Sequence, residues 1–146
     1  MLGLIQRVSS ASVSINDNVH GHINQGILLL LGVEKNDTTD QADQLLKKLL
    51  NYRIFTDDSG KMNWSLTDIH GDLLVVSQFT LAADTKKGLR PSFSSAAPPA
   101  DAKLLYDYFL AQANNSHNGK TASGKFGADM QVSLCNDGPV TFLLNS

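Results

Sequence analysis

The stretch Leu73–Leu81, LLVVSQFTL, constrains the fold more than any other part of the chain. It is β-branched and apolar, and it is bounded by Gly71-Asp72 before and Ala82-Ala83-Asp84 after, which reads as a strand. Side chains alternate between the two faces of a strand. Leu73, Val75, Ser77, Phe79 and Leu81 therefore share one face, and Leu74, Val76, Gln78 and Thr80 the other. The first half is apolar on both faces and belongs inside. The second half introduces Ser77, Gln78 and Thr80 without leaving the strand. Buried polar side chains need partners, so these three either satisfy neighbouring backbone or line a pocket that a polar ligand fills.

The remaining segments fit around that strand. Leu4–Ile15 alternates in its second half, with Ala11, Val13 and Ile15 set against Ser10, Ser12 and Ser14. Asn16-Asp17-Asn18 marks a turn, and Val19–Ile23 returns as a hairpin partner. Gly26–Val33 is a continuous apolar run, as in a strand buried on both faces. Asp37-Thr38-Thr39 offers helix caps, after which Ala42, Leu45, Leu46, Leu49 and Leu50 form one helical stripe. Arg53–Thr56 reads as a short strand and Lys61–Asp68 as a loop in which Met62, Trp64 and Leu66 alternate. Ala82–Pro99 is long for a loop in a compact domain, and such loops are often functional. Pro98-Pro99 opens a second helix with Ala102, Leu105, Tyr106, Phe109, Leu110 and Ala113 on its buried side. Thr121–Lys125, Gln131–Cys135 and Val140–Leu144 read as strands, the last two separated by a turn at Asn136-Asp137-Gly138-Pro139.

Composition sets limits. A chain of 146 residues that is 42% hydrophobic makes one domain with a real core. The longest apolar run, GILLLLGV, falls far short of a membrane span. No basic stretch followed by an apolar stretch and a cleavage site opens the chain, so no export signal is expected. Cys135 is the only cysteine; it fits a reducing compartment and a packing role. The net charge of -2 argues against bulk electrostatic capture of nucleic acid and leaves room for a local basic patch.

Few residues suggest chemistry by themselves. Thr80 as a nucleophile needs an adjacent base. The strand supplies none, and Asp72 and Asp84 only flank it, so a structural role is favoured for Thr80, as for Ser77. His20-x-His22 puts two imidazoles on one strand face, which is incomplete as a metal site and reads as two exposed histidines on a hairpin. His70 and His117 sit beside turn residues and indicate nothing further. Lys86-Lys87-Gly88-Leu89-Arg90 is a compact cationic loop. It is solvated by default, but its place beside a polar-lined strand end raises the prospect of phosphate contact. Gly138-Pro139 is expected trans, since only about 5–6% of X–Pro bonds are cis. Phosphate-binding glycine loops, zinc signatures and serine-hydrolase elbows are absent from the sequence.

One combination of short strings is far more specific than its parts. It comprises Ser77-Gln78-Phe79-Thr80-Leu81, then Lys87-Gly88-Leu89-Arg90-Pro91-Ser92-Phe93, and later Asn136-Asp137-Gly138-Pro139-Val140-Thr141. Ile5-Gln6-Arg7-Val8, Arg53-Ile54-Phe55, Gly60-Lys61-Met62-Asn63 and Phe126-Gly127-Ala128-Asp129-Met130 extend it along nearly the whole chain. In this order and spacing the sequence resembles the D-aminoacyl-tRNA deacylases. Leu2, where a basic residue is common in that family, is a small departure.

The resemblance implies an α+β fold, a curved mixed or antiparallel sheet or barrel with two helices packed on one side, assembled as a homodimer. It implies a cytoplasmic enzyme that needs no metal or cofactor and hydrolyses the ester joining a D-amino acid, or glycine, to the terminal adenosine of tRNA. It revises the expectation at Pro139: the Gly138-Pro139 bond would be cis and reach into the partner subunit's pocket. There the two carbonyls would receive the substrate's α-ammonium group, and an L side chain would collide with the backbone. Arg7 would brace that segment. Backbone N–H groups near Phe79 and Thr80 would stabilise the oxyanion, with the tRNA's own 2′-hydroxyl helping to activate water. Ser77, Gln78 and Phe79 would hold the ribose and adenosine, and Thr80 and Leu81 would shape the same site. Phe126 and Met130 would complete the pocket, and Lys86, Lys87 and Arg90 would meet tRNA phosphates. Two alternatives stand beside this reading. One is a related deacylase with a trans Gly-Pro bond acting on small L-aminoacyl-tRNA. The other is a non-catalytic RNA-binding module.

Overall fold

The computed structural model describes residues 1–146. Its elements run β1 (Leu2–Ile15), β2 (Asn18–Ile23), β3 (Gly26–Gly32), α1 (Thr39–Leu50), β4 (Phe55–Thr56), β5 (Met62–Trp64), β6 (Asp72–Ser77), α2 (Pro99–Ser116), β7 (Thr121–Ser123) and β8 (Gln131–Asn145). β4 and β5 form a small antiparallel pair, and the other six strands form one mixed sheet. β1 is its axis. Along one side β8 runs antiparallel to it; along the other, β3 pairs with Leu2–Val8 and β2 with Ala11–Ile15. β6 joins β3 in parallel and β7 joins β6 in parallel. The sheet curls until β7 approaches β2, where the Lys120 ammonium donates to the His22 carbonyl. The result is a nearly closed mixed barrel with both helices on one side, the α+β architecture that the resemblance implied.

The two apolar runs of the sequence become β3 and β6, and both faces of each are covered. Ile27, Leu29, Leu31, Leu73 and Val75 pack under the helices, against Ala42, Leu45 and Leu49 of α1 and Tyr106 and Phe109 of α2. Leu28, Leu74 and Val76 point the other way, into a smaller cluster with Val8, Val13 and Ile23. α1 begins as its sequence suggests: Thr38 and Gln41 form a reciprocal capping box, and Asp40 near its start and Lys47 and Lys48 near its end suit the helix dipole.

Two expected strands are redrawn. The segment Leu73–Leu81 leaves the sheet after Ser77, and Phe79–Ala82 coil into a single 3-10 turn. The Gln78 N–H still reaches the Leu31 carbonyl at 2.8 Å, but the turn then folds over the end of β3. Gly32 permits this, since a Cβ there would stand 3.0 Å from that of Leu81. The alternation expected for Phe79, Thr80 and Leu81 therefore does not hold. The second change is at the C-terminal end, where β8 is one strand rather than two strands around a turn. Val8 pairs with Asn136 and Gln6 with Thr141, so Asp137–Val140 bulge out opposite the single residue Arg7. The Asn136 side chain clasps the neck of this excursion, accepting from the Val140 N–H at 2.6 Å and donating to the Thr141 hydroxyl at 2.9 Å. The Gly138-Pro139 bond is cis, against the trans bond that base frequencies favour. Cys135 is exposed rather than packed, because it pairs with outward-facing Ser10.

His117 ends α2 as a buried imidazole whose ring nitrogens lack partners of hydrogen-bond geometry. Burial pushes its pKa below the ordinary 6.5, against the smaller opposing pulls of the Gly71 backbone and the Asp72 carboxylate. Protonation therefore disfavours the fold. The stability tied to neutral His117 is fully present above the unfolded pKa and is lost as pH falls from there through the folded one. We expect the urea midpoint to drop as pH falls below the ordinary 6.5 of a histidine, and this slope to flatten in His117→Gln. An unchanged slope would remove His117 from the account.

Candidate active site

A cavity of about 470 Å³ opens where β6 gives way to the 3-10 turn. Val76, Ser77, Gln78 and Phe79 form one wall, and Phe126, Ala128 and Met130 face them from the segment between β7 and β8. Ala97 and the first turn of α2, at Pro99 and Ala102, close a third side. Buried Tyr106 ties these parts together. Its hydroxyl lies 3.1 Å from the Val75 carbonyl and 3.2 Å from that of Gly124, and its ring lies 5.8 Å from that of Phe126. Burial raises the Tyr106 pKa to about 12, so the phenol stays protonated and donates. Gly124 leaves room for Met130: a Cβ on it would meet the Met130 sulfur at 2.6 Å.

The turn at the cavity mouth has a chemical consequence. The leading N–H groups of a helical turn have no acceptor within it, and here they belong to Phe79 and Thr80. Thr80 is exposed, and its hydroxyl accepts a hydrogen bond from the Gln78 side-chain amide at 2.6 Å. The contacts of Thr80 include no carboxylate or imidazole that could take its proton. The arrangement can hold a polar, ring-bearing ligand and offer main-chain donors to an oxygen that gains charge.

Ser77, Gln78, Phe79, Phe126 and Met130 thus gather around one cavity, while Thr80 and Leu81 sit in the turn at its edge. Gly138 and Pro139 do not line it. They lie on the β8 excursion beside a second hollow of about 340 Å³, whose walls include Arg7, Phe55, Trp64 and Asp137. Arg7 fixes the base of that excursion. Its Nε donates to the Asp137 carbonyl at 2.8 Å and its Nη1 to the Ile54 carbonyl at 2.7 Å. Gly138 has φ +142°, a conformation that L side chains rarely adopt. Lys86, Lys87 and Arg90 are exposed in a loop pinned at its base by paired hydrogen bonds between Asp84 and Ser92.

Reading the sequence did not single out several residues of this region, among them Ala97, Asp129, Pro99, Ala102 and Asn136. Pro99 and Ala102 looked like ordinary helix residues, and only the packing of α2 turns them toward the cavity. Asn136 looked like a turn residue. Its spacing before Gly138-Pro139 was visible, but its clasp across the excursion needed the register of β8.

Fold and site together define an α+β barrel protein whose cleft presents main-chain donors and aromatic walls, with Asp129 as the one charged residue in its lining. The comparisons place it further. A family model described as D-Tyr-tRNA(Tyr) deacylase matches residues 4–145. A D-aminoacyl-tRNA deacylase of Pseudoalteromonas translucida (strain TAC 125) is 68% identical, with 99% of each chain covered. One of Pseudomonas fluorescens (strain SBW25) is 63% identical over the whole of both chains. A solved structure described as c-Myc DNA Unwinding Element Binding Protein superposes with a TM-score of 0.96 at 40% identity, covering 100% of this chain and 99% of the other. A probable eukaryotic D-amino acid tRNA deacylase is similar in fold alone, with a TM-score of 0.83 at 19% identity over 99% and 98% of the two chains. The chain belongs to the D-aminoacyl-tRNA deacylase family, hydrolases that act on aminoacyl-tRNA.

Proposed function

We propose that this chain hydrolyses the ester between a D-amino acid, or glycine, and the terminal adenosine of tRNA, and leaves L-aminoacyl-tRNA intact. The observation that carries the reading is the position of the Phe79–Thr80 N–H groups at the mouth of a cavity walled by Phe126 and Met130. Adenosine occupies the cavity, held by Ser77, Gln78 and Phe79. Water attacks the ester carbonyl, helped by the ribose 2′-hydroxyl of the substrate. The carbonyl oxygen gains charge next to the turn, where each preorganised donor is worth about 3–4 kcal/mol. Collapse of the intermediate breaks the acyl C–O bond, and the ribose oxygen leaves with a proton.

Handedness is read by a second copy of the chain. In this reading the Gly138 and Pro139 carbonyls serve the partner's site, which their position outside their own cavity supports, with Arg7 and Asn136 holding the segment in place. The outer edge of β8 has no strand beside it, and Leu134, Phe142 and Leu143 are exposed on that strand, which supports a homodimer. An L side chain meets the Gly-Pro backbone; glycine has none to collide and is accepted. Lys86, Lys87 and Arg90 meet tRNA phosphates. The enzyme works in the cytoplasm, where tRNA is charged. None of its helices is long and apolar enough to cross a membrane.

The direct test is release of D-tyrosine from D-Tyr-tRNA in the presence of a chelator, with L-Tyr-tRNA as control. A Thr80→Ala variant is expected to keep most of its activity, whereas loss of a true nucleophile costs about 10⁴-fold or more. Near-complete inactivation of a folded Thr80→Ala would return the hydroxyl to the centre of the mechanism. The name of the 40%-identical structure favours a second reading, a nucleic-acid-binding module without catalysis. Binding of D-Tyr-tRNA without turnover would support that one.

A further inference from the structure

The cavity accounts for one nucleoside, yet the exposed apolar surface continues beyond it. Phe79 is 60% exposed, and its ring lies 5.1 Å from that of Phe93, which is 42% exposed. Leu89, at the far end of the same loop, is fully exposed. Lys86, Lys87 and Arg90 are exposed on this loop and form no ion pair. The nearby carboxylate, Asp84, is occupied by the Lys86 N–H.

Phe93 is also held firmly at its backbone. Ser92 pairs with Asp84 on one side; on the other, the Phe93 carbonyl accepts from Ala96 and the Ser95 carbonyl from Lys35. The Ser95 hydroxyl closes onto the Ala82 carbonyl. A ring left in water on a fixed backbone, flanked by unpaired cations, suits a planar base on a phosphodiester chain.

We infer that Phe93 is the stacking platform for the nucleotide preceding the terminal adenosine of the substrate. This rests on the deacylase reading and extends it by one residue of the RNA. The adenosine enters the cavity past Phe79, the preceding base lies on Phe93, and the phosphates on either side face Lys86, Lys87 and Arg90. An aromatic face tolerates any base, so the platform adds affinity for the unpaired 3′ end without reading its sequence.

The experiment compares kcat/KM for D-tyrosyl-adenosine with that for the same ester on a three-nucleotide RNA. In the wild-type protein the longer ester is expected to be the better substrate. In Phe93→Ala the ratio of the two is expected to fall about tenfold, and in Phe93→Tyr to return. Phe93→Leu, which keeps bulk but not the aromatic face, serves if the alanine variant fails to fold; a leucine ratio equal to that of tyrosine overturns the inference. So does a ratio unmoved by Phe93→Ala, or a loss of dimer mass in that variant by ultracentrifugation, which makes Phe93 a subunit contact. A wild-type protein inactive on both esters would instead remove the deacylase reading itself.

Discussion

Gly138→Ala is expected to lower D-Tyr-tRNA deacylation about a hundredfold at a cost of about 1–2 kcal/mol of stability from its left-handed backbone, the protein remaining folded. The reason is local. A Cβ on Gly138 would stand 2.7 Å from the Val140 side chain, 3.1 Å from the Val140 nitrogen and 3.2 Å from the Arg7 guanidinium. Val140 is β-branched and cannot rotate freely out of the way. Its N–H is also the group that Asn136 clasps. The excursion must shift, and a shift of about 1 Å in a substrate-positioning group is enough to cost two orders of magnitude. The core is disturbed only at its margin, because the excursion projects opposite Arg7 and only Val140 of it packs against the larger hydrophobic cluster. Equal rates on D-Tyr-tRNA for variant and wild type would show that the excursion takes no part in recognition.

Gly26→Ala is expected to have the opposite signature, a loss of about 3 kcal/mol or more of stability or outright failure to fold. Gly26 opens β3 and faces Asp72 in the parallel pair. A Cβ there would lie 1.9 Å from the Asp72 carbonyl oxygen and 2.7 Å from both the carbonyl carbon and the nitrogen. These are backbone atoms and cannot rotate aside. The two strands would have to separate where β3 and β6 begin, under Leu28 and Leu74 on one face and Ile27 and Leu73 on the other. Urea denaturation of the purified variant measures the loss. A midpoint within error of the wild type would mean that the approach of these strands is looser than described.

The doubly covered strands β3 and β6 and both helices were legible because their signals are periodic and local. Continuous apolar runs mean two buried faces, and a stripe at three- and four-residue spacing means one. Two features failed for the same physical cause. Phe79–Leu81 has the composition of a strand but leaves the sheet because Gly32, distant in sequence, lets the turn cross over β3. Gly138-Pro139 has the composition of a turn but lies in an excursion of a single strand, because β1 re-pairs with β8 on either side of it. Local composition carries no information about a partner strand. The site divided along the same line. Ser77, Gln78, Phe79, Phe126 and Met130, which share one cavity, lie in the strings that carry the resemblance, whereas the places of Pro99, Ala102 and Asn136 depend on packing and register.

The register of β8 also separates two tasks along the chain. Flanking residues on both sides of Asp137–Val140 are locked to β1, so the strand's register is set outside the excursion. Within that interval Gly138 and Pro139 carry no pairing to β1, while Asp137 and Val140 stay tied to Arg7, Asn136 and the core. The segment proposed to read handedness is in that sense a cassette at its tip, joined to the framework at Val140.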